Sequence, residues 1–225
     1  MNVLITGSSS GLGLSLCDKL NEMGHNVYGL SRSETPLDIK QSICDFKDIT
    51  SIGQCLRKLV GNDNIDCVFL NAGMLGNISK INEVSVGDFD EILKVNLLSN
   101  KVILDYLIVN NSIKNVIGIS SGAANKVYYG WSLYCVSKSA FKQLLSVYAE
   151  EYKDIMFLSL APGIIKSKMQ NDIKNVDVEL IPSVKKFHDM YEDMDSPDVV
   201  AGKIIDNMST LLSLDSGSYF DLRSL

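Results

Sequence analysis

Apolar positions along the chain fall into two alternating patterns. Short runs dense in β-branched and aliphatic residues occur at "NVLIT" (2–6), "NVYGL" (26–30), "IDCVFLNAG" (65–73), "VIGIS" (116–120), "IMFLSLAPG" (155–163) and "SYFDL" (218–222). Between them lie longer stretches with helical periodicity, notably 11–23, 86–109 and 134–152. This alternation predicts an α/β architecture: a doubly wound parallel sheet of about seven strands with helices covering both faces. No internal repeat, low-complexity run or long linker interrupts it, so residues 1–225 read as a single domain. The least regular segment, 166–195, runs from the strand ending in "APG" to a helix that Ser196 caps and Pro197 opens. Loops at the carboxyl ends of parallel strands hold ligands, which makes this segment a candidate substrate lid.

Composition narrows the classes. With 225 residues and 46% hydrophobic content, the chain can bury a substantial core. Its net charge of −6 provides no basic footprint for nucleic acid. No run approaches the roughly 20 apolar residues that span a bilayer, and the first apolar stretch lacks the charged lead of a signal peptide. The five cysteines are scattered without a CxxC spacing, which points to reduced thiols and a cytoplasmic setting. His25 and His188 lie far apart in polar surroundings, so no metal site is expected.

Candidate chemistry begins at "TGSSSGLG", residues 6–13, between a strand and a helix. Glycines at 7, 11 and 13 let the backbone approach a pyrophosphate, and the helix start presents free N–H groups to it. Further on, "GWSLYCVSK" places Tyr134 and Lys138 four residues apart, on one face of a helix.

With "NAG" at Asn71, Ala72 and Gly73, Asn96, Ser121 thirteen residues before Tyr134, and Pro162-Gly163 followed by Ser167, the chain resembles the short-chain dehydrogenase/reductase family nearly end to end. The resemblance implies a Rossmann-type sheet of order 3-2-1-4-5-6 with a seventh strand, and a catalytic set of Asn96, Ser121, Tyr134 and Lys138. Lys138 is expected to lower the pKa of Tyr134 and to bond the nicotinamide ribose. Ser121 would bond the substrate oxygen, and Asn96 would hold a water linking Lys138 to solvent. Cofactor contacts are implied at Gly7, Ser9, Ser10, Gly11, Leu12 and Gly13, at Ser31 and Arg32, at Asp45 and Phe46 beside the adenine, and at Asn71, Ala72 and Gly73. Tyr134, Lys138, Pro162, Gly163, Ile165, Ser167 and Met169 complete that set. After the second strand an acid would favour NAD, whereas an arginine pairs with a 2′-phosphate. Ser31 and Arg32 stand there, so the expected cofactor is NADP(H), although Ser10 replaces the second basic residue of many NADPH users.

The likeness extends to sepiapterin reductases and bacterial benzil reductases through "ISSGAANKVYYGWSLYCVSK", "APGIIKSKMQ" and "SGSYFDL". It implies NADPH-dependent reduction of a ketone or 1,2-dicarbonyl, with Asp221 anchoring a pterin ring. Ser121, Trp131, Tyr134 and Met169 would contact the substrate, Trp131 lining the pocket mouth, and Tyr128, Met74 and Leu75 would extend the apolar wall. Lys166 and Lys168 replace acids of the sepiapterin reductases and could steer an acidic substrate. A homodimer or homotetramer is expected, pairing through the helices that hold Asn96 and Tyr134. Another substrate for the same fold, such as a sugar-nucleotide intermediate, and a regulator that binds NADPH without turnover are the alternatives.

Overall fold

The computed structural model describes residues 1–225. Its strands are β1 (Asn2–Thr6), β2 (Asn26–Ser31), β3 (Lys40–Ile43), β4 (Ile65–Leu70), β5 (Ile113–Ile119), β6 (Met156–Ala161) and β7 (Ser218–Asp221). All are parallel, in the order β3-β2-β1-β4-β5-β6-β7, as the sequence predicts. Central strands read as continuous apolar runs because helices cover both of their faces. Strand β3, "KQSI", has no such run; it is a largely exposed edge and left little signal in the apolar pattern.

Helices α1 (Gly11–Glu22), α8 (Pro197–Asp206) and α9 (Met208–Leu212) close one face through Leu16, Leu20, Val200, Ile204 and Leu211. Helices α2 (Ile52–Val60), α4 (Ser99–Asn110) and α5 (Ser132–Glu151) close the other through Leu56, Ile103, Leu107, Phe141 and Leu145. A third apolar cluster joins Trp131 and Tyr134 to the 166–195 segment, which folds into α6 (Lys168–Lys174), a 3₁₀ turn and α7 (Lys185–Asp189).

The periodicity predicts one helix over 86–109, but the chain forms α3 (Val86–Leu93), a π-turn over Lys94–Leu98, and then α4. The Ser99 N–H reaches the Lys94 carbonyl, five residues back, so the turn is wider than an α turn. Asn96 sits inside this turn, fully buried, where its amide meets the backbone of Met74. Tertiary bonding to the end of β4 accompanies a break that apolar spacing does not signal.

Crossovers leave β1 in one direction toward β2 and β3 and in the other toward β4, which opens a crevice at the carboxyl ends of β1 and β4. The crevice walls are stapled together. The hydroxyl of Thr6 accepts the N–H groups of Asn71 and Ala72, each at 2.9 Å, and the Asn71 amide donates to the Thr6 carbonyl at 2.9 Å.

Gly118 on β5 sets how closely α5 lies to the sheet. A Cβ there would meet Leu145 Cδ1 at 2.4 Å and Phe141 Cζ at 2.7 Å. Gly118→Val is therefore expected to destabilise the fold by about 1–3 kcal/mol through overpacking, read as a lower midpoint in equilibrium urea unfolding. An unchanged midpoint would show that α5 seats without that close approach.

Candidate active site

The turn from β1 into α1 owes its shape to glycine. Gly7 and Gly11 have φ of 70° and 55°, in the left-handed region. A Cβ on Gly13 would lie 2.2 Å from the Gly7 carbonyl oxygen. Ser10 precedes the first turn of α1 without capping it by its side chain, so that turn keeps free backbone N–H groups. The close approach at Gly13 packs α1 against the turn, and the uncapped, positively polarised helix end beside it suits a pyrophosphate.

This turn borders a cavity of about 630 Å³ that runs across the carboxyl edge of the sheet. Of the residues singled out by sequence, Gly7, Ser10, Gly11, Leu12, Arg32, Asn71, Ala72 and Gly73 line it at the loop end. Ser121, Trp131, Tyr134, Lys138, Pro162, Gly163, Ile165, Ser167, Met169 and Asp221 line the remainder, together with Met74, Leu75 and Tyr128.

Others stand back from it. Gly13 is buried beneath the turn, and Ser9 lies outside the lining. Ser31 is buried and donates to the Ser33 carbonyl at 2.7 Å, while Ser8 donates to it at 3.2 Å; its hydroxyl serves the chain itself. Asp45 is exposed on the loop after β3, and the Phe46 side chain belongs to the core, so any adenine contact from Phe46 must come from its backbone. Asn96 donates both amide hydrogens to protein, to the Met74 carbonyl and the Ser137 hydroxyl, each at 2.9 Å, and accepts the Met74 N–H at 2.8 Å. Its side chain braces the segment after β4, so a water relay through its amide donors is not part of this arrangement.

Helix α5 carries Tyr134 and Lys138 into the cavity one turn apart, with the Lys138 ammonium 5.8 Å from the Tyr134 ring centre. Lys138 has no carboxylate partner; its Nζ donates to the Ile119 carbonyl at 2.8 Å, and burial lowers its pKa to about 8. Burial likewise pushes the Tyr134 phenol up to about 12, the Ser121 hydroxyl acting in the opposite direction. In the protein alone burial dominates this phenol, whereas the lowering expected of Lys138 is tied to the oxidised nicotinamide as well. Ser121 ends β5 as the cap of a 3₁₀ turn, its oxygen accepting the Ala123 N–H at 3.1 Å. That bond fixes the oxygen and leaves the hydroxyl hydrogen available to a ligand.

Trp131 is not at an open mouth. It is only 4% exposed, stacks on Phe187 of the 166–195 segment at 4.9 Å, and donates its indole N–H to Ser183 at 3.0 Å. The segment's ends meet: the Lys166 N–H donates to the Asp195 carbonyl at 2.9 Å beside an Ile165–Asp195 bridge. Lys166 pairs with Glu192 at 3.1 Å rather than facing the cavity, whereas Lys168 lines it. Asp221, at the end of β7, has both carboxylate oxygens engaged by Arg223. Arg223, Tyr219 and Lys126 also line the cavity, and sequence reasoning passed over all three. The "FDLR" spacing, an acid at a strand end with an arginine two residues on, is the one signal that marks Arg223.

The family model described as short chain dehydrogenase matches residues 1–177. Over 98% of this chain and 97% of its own length, a benzil reductase ((S)-benzoin forming) from Bacillus subtilis is 28% identical. An NADPH-dependent pterin aldehyde reductase from Arabidopsis thaliana is 31% identical over 74% of this chain and 76% of its own. The crystal structure of a short-chain dehydrogenase/reductase, YIR035C from Saccharomyces cerevisiae, superposes with a TM-score of 0.87 at 26% identity, covering 98% of this chain and 95% of that one.

The depressed pKa of Lys138 has a stability signature. Below about 8 both the native and unfolded chains carry the proton, and the native state bears the full desolvation cost. Between about 8 and the ordinary 10.5 only the unfolded chain holds it, so stability should rise with pH through that window. Relative to Lys138→Met, the wild type is expected to gain up to about 3 kcal/mol from pH 7.5 to 10.5, measured by urea unfolding at each pH. A pH-independent difference would show that the buried ammonium is not desolvated as the structure implies.

Proposed function

This chain belongs to the short-chain dehydrogenase family and is an oxidoreductase, and from that premise we propose that it is an NADPH-dependent carbonyl reductase acting on a ketone or 1,2-dicarbonyl. The observation that carries the reading is the convergence of Ser121, Tyr134 and Lys138 on one cavity that also opens onto the glycine turn and Arg32. NADP(H) fits the turn, where Gly7 and Gly11 hold left-handed backbone and Ser10 leaves the first turn of α1 without a side-chain cap. Arg32, with the buried Ser31 beside it and no acid in the acid's usual place, supports the phosphorylated cofactor. When bound, that cofactor supplies hydride to the carbonyl carbon.

The protein's own groups manage the oxygen. Ser121 donates a hydrogen bond to it and orients it, and Tyr134 delivers its phenolic proton as negative charge develops there. A phenol held near 12 by burial is fully protonated at neutral pH, the form an acid needs. Lys138 stands behind it, and its cation favours the phenolate once the proton has left. Asn96 positions the wall after β4. The 166–195 segment acts as a lid, closed through Trp131, Phe187 and Ser183, which excludes water from the apolar end. The benzil and pterin aldehyde reductases named above support a carbonyl substrate flanked by apolar or aromatic groups, as do Trp131, Tyr128 and Met169 in the lining.

The five unpaired cysteines favour a reducing, cytoplasmic setting. Between α4 and α5 an apolar groove lined by Leu97, Leu98, Ala140, Leu144 and Val147 supports pairing with a second copy. In light scattering, Leu98→Glu with Val147→Glu is expected to halve the particle mass; an unchanged mass would exclude this surface as the interface.

NADPH oxidation with benzil and other diketones, followed by cofactor absorbance, tests the activity. Tyr134→Phe is expected to lower kcat by about 10²–10⁴-fold, the usual contribution of a positioned proton donor. Arg32→Asp should weaken NADPH relative to NADH by about 10- to 100-fold, as when a charge-assisted hydrogen bond is lost. Undiminished turnover in Tyr134→Phe would sink the proposed chemistry.

A further inference from the structure

Strand β7 pairs with β6 so that Asp221 lies beside Ala161, next to the Pro162-Gly163 turn. The Asp221 carboxylate is not free. Arg223 Nε donates to one oxygen at 2.8 Å, Nη2 to the other at 2.5 Å, and the Arg223 backbone N–H adds a third bond at 3.1 Å. The two side chains form a closed fork, which lowers the pKa of the carboxylate, with Lys126 adding to the effect. Being two residues apart, they meet at high effective concentration, so a guanidine-like edge of a ligand would have to displace a tethered guanidinium of the same shape.

The fork leaves Arg223 with donors to spare. Its Nη1 has no partner in the chain, and its side chain, 55% exposed, crosses the face of Gly163 on the cavity wall. Elsewhere on that wall and the lid, Lys126, Lys168 and Lys186 line the cavity and none is paired with a carboxylate. Asp172 is the one other acid in the lining. A chain whose net charge is −6 thus brings three lysines without carboxylate partners to this cavity, Lys126 being near enough to Asp221 to act on its carboxylate. Clefts lined by one sign of charge concentrate ligands of the other.

We propose that Arg223 is a specificity-determining residue that caps Asp221 and turns this wall toward anions, so that the preferred substrate is a ketone bearing a carboxylate beside its carbonyl, in the manner of an aryl 2-oxo acid. The carboxylate lies against the free guanidinium N–H groups, and the neighbouring carbonyl faces Ser121 and Tyr134. The inference rests on the carbonyl-reductase reading for turnover, but its anion site is separable from it.

Benzoylformate and benzil form a matched pair of probes, since a carboxylate in the first replaces a benzoyl group in the second. With NADPH, the wild type is expected to prefer benzoylformate, and that preference should shrink as potassium chloride is raised. Arg223→Met should lower the benzoylformate-to-benzil ratio of kcat/KM by about 10- to 100-fold, the cost of one charge-assisted hydrogen bond, and Arg223→Lys should restore part of it. A ratio that Arg223→Met leaves unchanged, or a wild type that prefers benzil at low salt, would overturn the proposal. If neither ketone is turned over, calorimetric titration of benzoylformate into the NADPH-loaded protein decides independently. Binding that weakens in Arg223→Met upholds the anion site while the reductase reading falls, and binding indifferent to Arg223 sinks the anion site itself.

Discussion

A buried ammonium without a counter-ion organises this molecule. Lys138 lies inside the fold with a backbone carbonyl of β5 as its hydrogen-bond partner and the rings of Tyr134 and Phe141 nearby. Such a group is costly to desolvate, and it persists only because its surroundings are over-determined. Gly118 admits α5 to the sheet, Phe141 and Leu145 fill the contact, and the π-turn at Asn96 ties the segment after β4 to the α5 residue Ser137. The same constraints hold the Tyr134 phenol protonated and out of water. The lowered pKa of Lys138 and the raised pKa of Tyr134 therefore arise from one packing arrangement.

The cavity has two ends of different character. At the glycine turn, the chain offers backbone N–H groups and withholds side chains, which suits a phosphate-bearing ligand irrespective of its other parts. At the far end, aromatic side chains from α5 and the 166–195 segment interlock over the space where a substrate would sit, and charged residues from the lid and the C-terminal strand rim it. Ser121, Tyr134 and Lys138 lie between them, just after β5 and on α5. The 166–195 segment beside them has its ends pinned together, while its middle packs mainly through side chains.

Legibility in the sequence followed how local the determining physics was. The strand–helix alternation, the glycine spacing and the Tyr134–Lys138 pair depend on neighbours within a few residues, and the parallel sheet, glycine turn and shared face of α5 all match; the strand order matches what the family resemblance implies. Edge strand β3 escaped because an exposed edge needs no apolar run. The π-turn at Lys94–Leu98 escaped because the bonds that accompany it join Asn96 to Met74, twenty-two residues away. Trp131 read as a pocket wall, and it is one, yet its burial and its bond to Ser183 depend on a segment fifty residues downstream.

The sequence by itself determined the alternating strands and helices and the glycine turn, because periodicity and glycine spacing encode backbone geometry directly, and the family resemblance supplied the strand order and the groups at its carboxyl edge. Tertiary structure alone decided their electrostatic state. That Tyr134 is held protonated, that the Asn96 amide is committed to the backbone of Met74, and that Asp221 faces the cavity already bound to Arg223 all depend on burial and on distances between side chains. Charge in a low-dielectric interior is set by what surrounds it in space, and adjacency in the chain carries little of that information.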